Sequence, residues 1–228
     1  MDSLLNRPIW TALESRMNAF AVKNRAAARF HPETSPFACA MDGTAQSSDD
    51  LAALLTDDTD RLVFLQAEPI RLPDALETVE ATDGVQLVLR KDLPEPKAGH
   101  LAERLGTRDI PEMIALAELT KPGPFRARTI ELGEYWGIRI DGRLAAMTGE
   151  RLTMPGLTEI SAVCTHPDFQ GRGFAASLSV HVARRIIERG DTPFLHAFST
   201  NTGAIRLYER LGFVKRANMN VAVVKRAT

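Results

Sequence analysis

Residues 158–178 read TEISAVCTHPDFQGRGFAASL, and this stretch decides the fold. The largely apolar run Thr158 to Thr165 predicts a strand, Gln170-Gly171-Arg172-Gly173-Phe174-Ala175 a tight turn, and about Gly173 to Arg189 a helix. Small residues at Gly171, Gly173 and Ala175 would let backbone N–H groups approach an anion at the helix N-terminus, where the macrodipole also favours negative charge. Taken alone, such a turn serves equally well to supply the backbone angles of a strand-to-helix connection. Gly171-x-Gly173-x-x-Ala176 also fits a variant of the dinucleotide fingerprint. That fingerprint places its glycines directly after a strand and an acid at the end of the next one. Here His166 to Gln170 intervene and Asp191 comes before the next strand, so the match is superficial. A mononucleotide loop matches less well still, because no Gly-Lys-Ser or Gly-Lys-Thr is present.

Working outward, Tyr135 to Ile140 and Arg143 to Thr153 flank Asp141-Gly142, a dipeptide that favours a tight hairpin. Further upstream, Thr107-Arg108-Asp109 predicts the cap of a helix over IPEMIALAELT, residues 110–120. Downstream come a strand PFLHAF at 193–198, a helix from about Thr202 to Leu211 stopped by Gly212, and a strand near Asn220 to Val224. The strongest break in texture is KDLPEPKAG, Lys91 to Gly99, which predicts two units, 1–97 and 98–228. In the first unit a helix from about Pro8 to Lys23, a short helix at Asp49 to Leu55, and strands at Leu62 to Gln66 and Val85 to Leu89 predict a small α/β arrangement.

Composition bounds the function. With 228 residues, 44% hydrophobic and 25% charged, the chain has the make-up of a soluble globular protein rather than a disordered or collagen-like one. The formal charge of −1 recommends neither nucleic acid nor an anionic membrane as partner. It hides an asymmetry, since residues 1–97 hold 10 basic and 16 acidic side chains while 98–228 hold 18 and 13. No apolar run reaches the length of a membrane helix and the start lacks a secretory pattern, so a cytoplasmic location is expected. The two cysteines, Cys39 and Cys164, predict reduced thiols, with no disulfide framework and no metal site.

Three stretches together resemble the GNAT superfamily of acyl-CoA-dependent N-acetyltransferases. They are Val163-Cys164-Thr165-His166-Pro167, Gln170 to Ala175, and Asn201-Thr202-Gly203-Ala204-Ile205-Arg206-Leu207-Tyr208-Glu209-Arg210-Leu211-Gly212-Phe213. The order and spacing follow that family's V-x-P, Q/R-x-x-G-x-G/A and N-x-x-A-x-x-x-Y before L-G-F. The resemblance covers about Gly99 to the C-terminus. It implies an α/β (mixed α+β) fold with a central, mostly antiparallel sheet flanked by helices, and acetyl-CoA as acyl-donor co-substrate without a metal. It further implies that Gln170, Gly171, Arg172, Gly173, Phe174 and Ala175 receive the pyrophosphate of coenzyme A through backbone N–H groups. The backbone of Val163, Cys164 and Thr165 would then accompany the pantetheine arm, with Asn201 and Ala204 on the other side. Thr165 departs from the apolar residue commoner at that position.

Asn201 and Tyr208 are seven residues apart and so fall within about 20° of one helix face. Asn201 also suits a helix cap. The resemblance makes Tyr208 the general acid for the coenzyme A thiolate, a leaving group that a positioned phenol can protonate. An ammonium must lose a proton before it attacks, and two residues are expected candidates for the base. Glu159 lies on the strand in register with Ser161 and Val163, and His196 alternates with Phe194 and Phe198. Cys164 and His166 share a strand face but lack a third, orienting group, which disfavours a nucleophilic cysteine.

The sequence therefore predicts an N-acyltransferase moving an acetyl group to a primary amine by direct attack in a ternary complex. The competing expectation is a non-catalytic acyl-CoA-binding sensor or interaction module. The two-part build loosely resembles the glycine N-acyltransferase branch, whose first half is a degenerate copy of the fold, which implies a small amine or amino-acid-like acceptor. Neither the oligomeric state nor the acceptor follows from these motifs.

Overall fold

The apolar alternation becomes strands and the 3.6-residue periodicity becomes helices in a computed structural model that describes residues 2–42, 45–95 and 102–227. In chain order the strands are β1 (Ala21–Asn24), β2 (Ala27–Phe30), β3 (Ala38–Ala40), β4 (Leu62–Gln66), β5 (Leu76–Leu89), β6 (Glu103–Leu105), β7 (Tyr135–Ile140), β8 (Arg143–Met154), β9 (Leu157–Thr165), β10 (Thr192–Phe198) and β11 (Phe213–Arg226). The α-helices are α1 (Pro8–Leu13), α2 (Ala45–Ala52), α3 (Ile110–Thr120), α4 (Phe174–Glu188) and α5 (Thr202–Arg210). Among the described residues, β1, β2 and β3 form a small antiparallel sheet, and the other eight strands form one large sheet in the order β4-β11-β5-β10-β9-β8-β7-β6. Its one parallel pairing among these is β10 with β9. No described helix is long and apolar enough to cross a membrane.

Alternate side chains of the large sheet feed two cores. Val88 and Phe194 pack with Ile9 and Leu13 of α1, and Met147 and Cys164 with Met113 and Leu116 of α3. Leu87 and Leu195 face the other way, toward Val182 and Ile186 of α4 and Tyr208 of α5. Thus α1 and α3 cover one face and α4 and α5 the other.

Several expectations change. The helix predicted over Pro8 to Lys23 ends at Leu13, whose carbonyl accepts from Asn18 Nδ2 at 3.1 Å, and the chain turns into β1. The Asp49 to Leu55 helix is displaced to Ala45–Ala52, β5 begins at Leu76 rather than Val85, and β11 spans Phe213–Arg226 rather than Asn220 to Val224. The expected division at 97/98 falls among residues outside the description, and the sheet is shared across it. β5, from the first segment, lies between β10 and β11 and pairs with both. The first segment supplies β4 and β5 to the large sheet.

One irregularity positions the site. Between the pairs Gly149↔Ser161 and Met147↔Cys164, β9 holds one residue more than β8. The bulge centres on Ala162, a non-glycine residue at φ +53. Ile160 and Val163, three residues apart, consequently face the α4 side together, while Ala162 and Cys164 face α3. The parallel ladder to β10 runs from Leu157↔Thr192 to Ile160↔Leu195 and stops where the bulge begins. Gly149 sits opposite this bulge because a Cβ there would stand 2.2 Å from the Tyr135 ring. Gly149→Ala is therefore expected to cost about 1–3 kcal/mol through overpacking, read as a lower urea midpoint. An unchanged midpoint would show that Tyr135 gives way freely.

Candidate active site

Beyond Ile160 the two parallel strands diverge and leave one edge of β9 unpaired. The gap opens into a cleft of about 390 Å³ whose walls come from both faces of the sheet. Toward α4 and α5 it is lined by Val163, Thr165, Gln170, Asn201, Ala204 and Tyr208. Toward α1 and α3 the wall includes Phe37, Val63, Leu65, Glu80, Arg151 and Val223. The segments that supply Phe37 and Lys121 to Pro124 to that wall are tied together just outside the cleft. Thr129 Oγ1 donates to Thr34 O at 2.7 Å, Arg128 N donates to Glu33 O at 3.3 Å, and Arg126 donates to Pro32 O.

On the α4 side, Gly171 and Gly173 adopt φ values of +78 and +81, and a Cβ on either would meet nothing within 4 Å. Glycine is needed there for its backbone angles, and the space above the turn is open. Among the described residues the amides of Gly171, Arg172, Gly173 and Ala175 have no backbone acceptor, as expected at the start of a helix. Arg172 and Arg143 both stack on Phe169, at 5.3 and 5.4 Å from its centroid, placing positive charge beside the turn. Asn201 Oδ1 caps α5 by accepting from Ala204 N at 3.0 Å, which leaves its Nδ2 for the cleft. Thr165 Oγ1 is buried without a partner among the described residues. Burial raises the Tyr208 phenol above its ordinary pKa, with a smaller push from Cys164, so it is protonated at neutral pH.

A chain of polar side chains crosses the sheet behind the cleft. Arg151 donates to Glu159 from Nε at 2.9 Å and from Nη2 at 2.6 Å. Glu159 Oε1 lies 2.7 Å from His196 Nδ1, and His196 Nε2 lies 2.9 Å from Gln86 Nε2. The amide of Gln86 is oriented by its surroundings, since Nε2 donates to Leu5 O at 3.0 Å and Oε1 accepts from Arg216 Nη1 at 3.0 Å. Nε2 of Gln86 can only donate, so His196 accepts at Nε2 and carries its hydrogen on Nδ1, directed at Glu159. A bulge at Arg216, between Lys215 and Ala217, brings that guanidinium onto Gln86 and Asn6. Burial alone would raise the Glu159 pKa, but the Arg151 charge and the hydrogen bonds from Arg151 and His196 outweigh it and hold the carboxyl at about 2.

Residues 135–222 match the FR47-like protein family. A solved structure from Novosphingobium aromaticivorans, described as an acetyltransferase from the GNAT family, is 38% identical, with a TM-score of 0.92 over 98% of this chain and 99% of that one. The chain belongs to the GNAT family. The GCN5-related N-acetyltransferase from Kribbella flavida shares the fold at 18% identity, with a TM-score of 0.66 over 100% of this chain and 95% of that one. No curated protein matches.

In this GNAT protein the residues expected from the sequence separate into groups. Val163, Cys164, Thr165, Gln170, His196, Asn201, Ala204 and Tyr208 line the cleft together. Gly171, Arg172, Gly173 and Ala175 form the adjoining turn, and Phe174 contributes its ring to the core, at 2% exposure. Glu159 is the correction. It is 0% exposed, stands behind the cleft wall, and is engaged by Arg151 and His196, so it is no free base. Burial also pushes the Cys164 thiol up to about 11, and His166 caps the turn at Pro167–Phe169 by accepting from Asp168 N, which together leave no nucleophilic pair. Sequence reasoning missed Phe37, Glu80, Gln86 and Arg151. Only Arg151 carried a signal, as a charge inside an apolar strand that must find a partner when buried.

Proposed function

We propose that this protein transfers an acetyl group from acetyl-CoA to the primary amine of a small acceptor, by direct attack within a ternary complex. The observation that carries the reading is the cleft at the divergence of β9 and β10, open to both faces of the sheet, with Tyr208 on one side of it. The amides of Gly171, Arg172, Gly173 and Ala175 receive the pyrophosphate at the start of α4. The unpaired edge of β9 at Val163 to Thr165 accompanies the pantetheine amides, joined by Asn201 Nδ2 and the unpartnered Thr165 hydroxyl. Ala204 leaves room for the arm.

Tyr208 gives its phenolic proton to the departing thiolate. The amine approaches from the α1 side, where Glu80 stands in the wall and serves, directly or through water, as the acceptor of its proton. Glu159 and His196 act as positioning residues, fixed by the Arg151 fork and by Gln86.

Thermal-shift titration separates the donor ligands. At a hundredfold excess over Kd, acetyl-CoA is expected to raise the midpoint by about 5–10 °C, with no shift for NAD or ATP. A thiol-release assay across a panel of primary amines then tests turnover. A shift with acetyl-CoA and no thiol release from any amine would establish a binding module instead.

A further inference from the structure

Arg151 is 9% exposed, and its guanidinium is fixed on two sides. Nε and Nη2 are held by Glu159, and the plane rests on the Phe37 ring at 4.6 Å from its centroid. Nη1 makes no hydrogen bond to any described residue. It lies beside the Lys121–Pro124 turn, 3.8 Å from where a Cβ on Gly123 would stand, and Arg151 and Gly123 both line the cleft. The rest of the guanidinium is held in place, so Nη1 stands at the cleft with its N–H groups free for a ligand oxygen. Planar donors of this kind suit carboxylates. Glu159 offsets the Arg151 charge, and Lys121 on the same wall adds a second cation for an anionic ligand. The neighbouring surface is apolar, from Val63, Leu65, Val221 and Val223, and it leads to the carboxylate of Glu80.

We infer that the acceptor is an α-amino acid with a hydrocarbon side chain, its carboxylate anchored by Arg151 Nη1 and its amine directed at the thioester. The amine rests on the acyl transfer proposed above, whereas the carboxylate anchor does not. The side chain lies against the Val63 and Val223 wall.

The test compares twins by calorimetric titration into the coenzyme A-saturated protein. N-acetyl-L-leucine is the product-like acid, and N-(3-methylbutyl)acetamide is the same molecule without its carboxylate. The acid is expected to bind at least about tenfold tighter, and Arg151→Lys to reduce that advantage to within about threefold while the affinity for coenzyme A stays unchanged. Equal binding of the twins to the wild type, no binding of the acid, or an advantage that survives Arg151→Lys overturns the anchor. The wild-type comparison decides the question even if the variant folds poorly. N-acetyl-L-aspartate is expected to bind more weakly than N-acetyl-L-leucine, and the reverse order overturns the hydrocarbon side chain. Selective binding of the acid without thiol release from any amine would end the acyl-transfer reading and leave the anchor standing. Thiol release without acid selectivity would do the opposite.

Discussion

Tyr208→Phe is expected to lower kcat by about 100-fold or more while leaving the dissociation constant for acetyl-CoA within about twofold. The ring is buried against α4 and packs edge-on with Phe213 at 6.2 Å between centroids, and phenylalanine preserves both contacts. The substitution removes one hydroxyl, and none of Val163, Thr165, Gln170, Asn201 and Ala204, which line the same side of the cleft, is an acid that could replace it. The nearby Cys164 thiol is buried and faces the α3 core. If the phenol served only to bind the donor, the loss would appear in the dissociation constant and kcat would be unchanged, which would end its assignment as the acid. The raised pKa of Tyr208 adds a second expectation. With the phenol protonated throughout the neutral range, its titration should leave no descending limb in the kcat profile below the ordinary tyrosine range.

The half of the fold legible from sequence is the half whose strands carry local punctuation. The Asp141-Gly142 turn, the glycine turn before α4 and the Gly212 stop each mark an element end, and α3, β7, β9, α4, β10 and α5 all form within a residue or so of expectation. The first segment is less readable because its long strand is polar where it projects. β5 reads LETVEATDG before its apolar end, with Val79 exposed and Asp83-Gly84 resembling a turn, so alternation signals a strand only over Val85 to Leu89. Its pairing with both β10 and β11 is a long-range fact that no local pattern encodes.

Glu159 departs from its expected place for a specific physical reason. Period-two counting puts Glu159, Ser161 and Val163 on one face, but the extra residue at Ala162 reverses the facing of everything after it. The same bulge at which the β9–β10 ladder stops thus leaves Glu159 on the opposite face from Val163, among the groups of the α1 side. There a carboxylate without a cation would be untenable, and Arg151, reaching across from β8, supplies one. The buried Arg151–Glu159 pair on one face and the unpaired β9 edge on the other both follow from a single inserted residue.

A large loss of stability is expected for Glu159→Gln. Removing one member of a buried ion pair strands the other, which typically costs about 3–5 kcal/mol. The mismatch does not stay local. The substituted glutamine would offer one amide oxygen where Arg151 and His196 both donate, and its NH₂ would oppose one of them. His196 cannot compensate by moving its hydrogen to Nε2, because the Gln86 amide already donates there and is held by Leu5 O and Arg216. The pH dependence has a definite sign. The folded carboxyl titrates near 2, below its ordinary value of 4.5, so the unfolded chain binds the extra proton between those values and stability rises with pH across that window. The contribution is present in full above about pH 5 and is lost as pH falls toward 2, whereas Glu159→Gln should show a flatter curve over the same interval. Urea unfolding at pH 7 and at steps down to pH 3 measures both quantities, and the difference from wild type removes the contribution of other carboxylates such as Asp60, itself held at about 2 against its own burial by Arg29. The shape of the kcat profile should be unchanged in the folded fraction, because Glu159 is pinned rather than exchanging protons. A variant within about 1 kcal/mol of wild type at pH 7 would mean that the Arg151–Glu159 pair is solvated and that the Arg151 guanidinium in the cleft wall is not fixed at all.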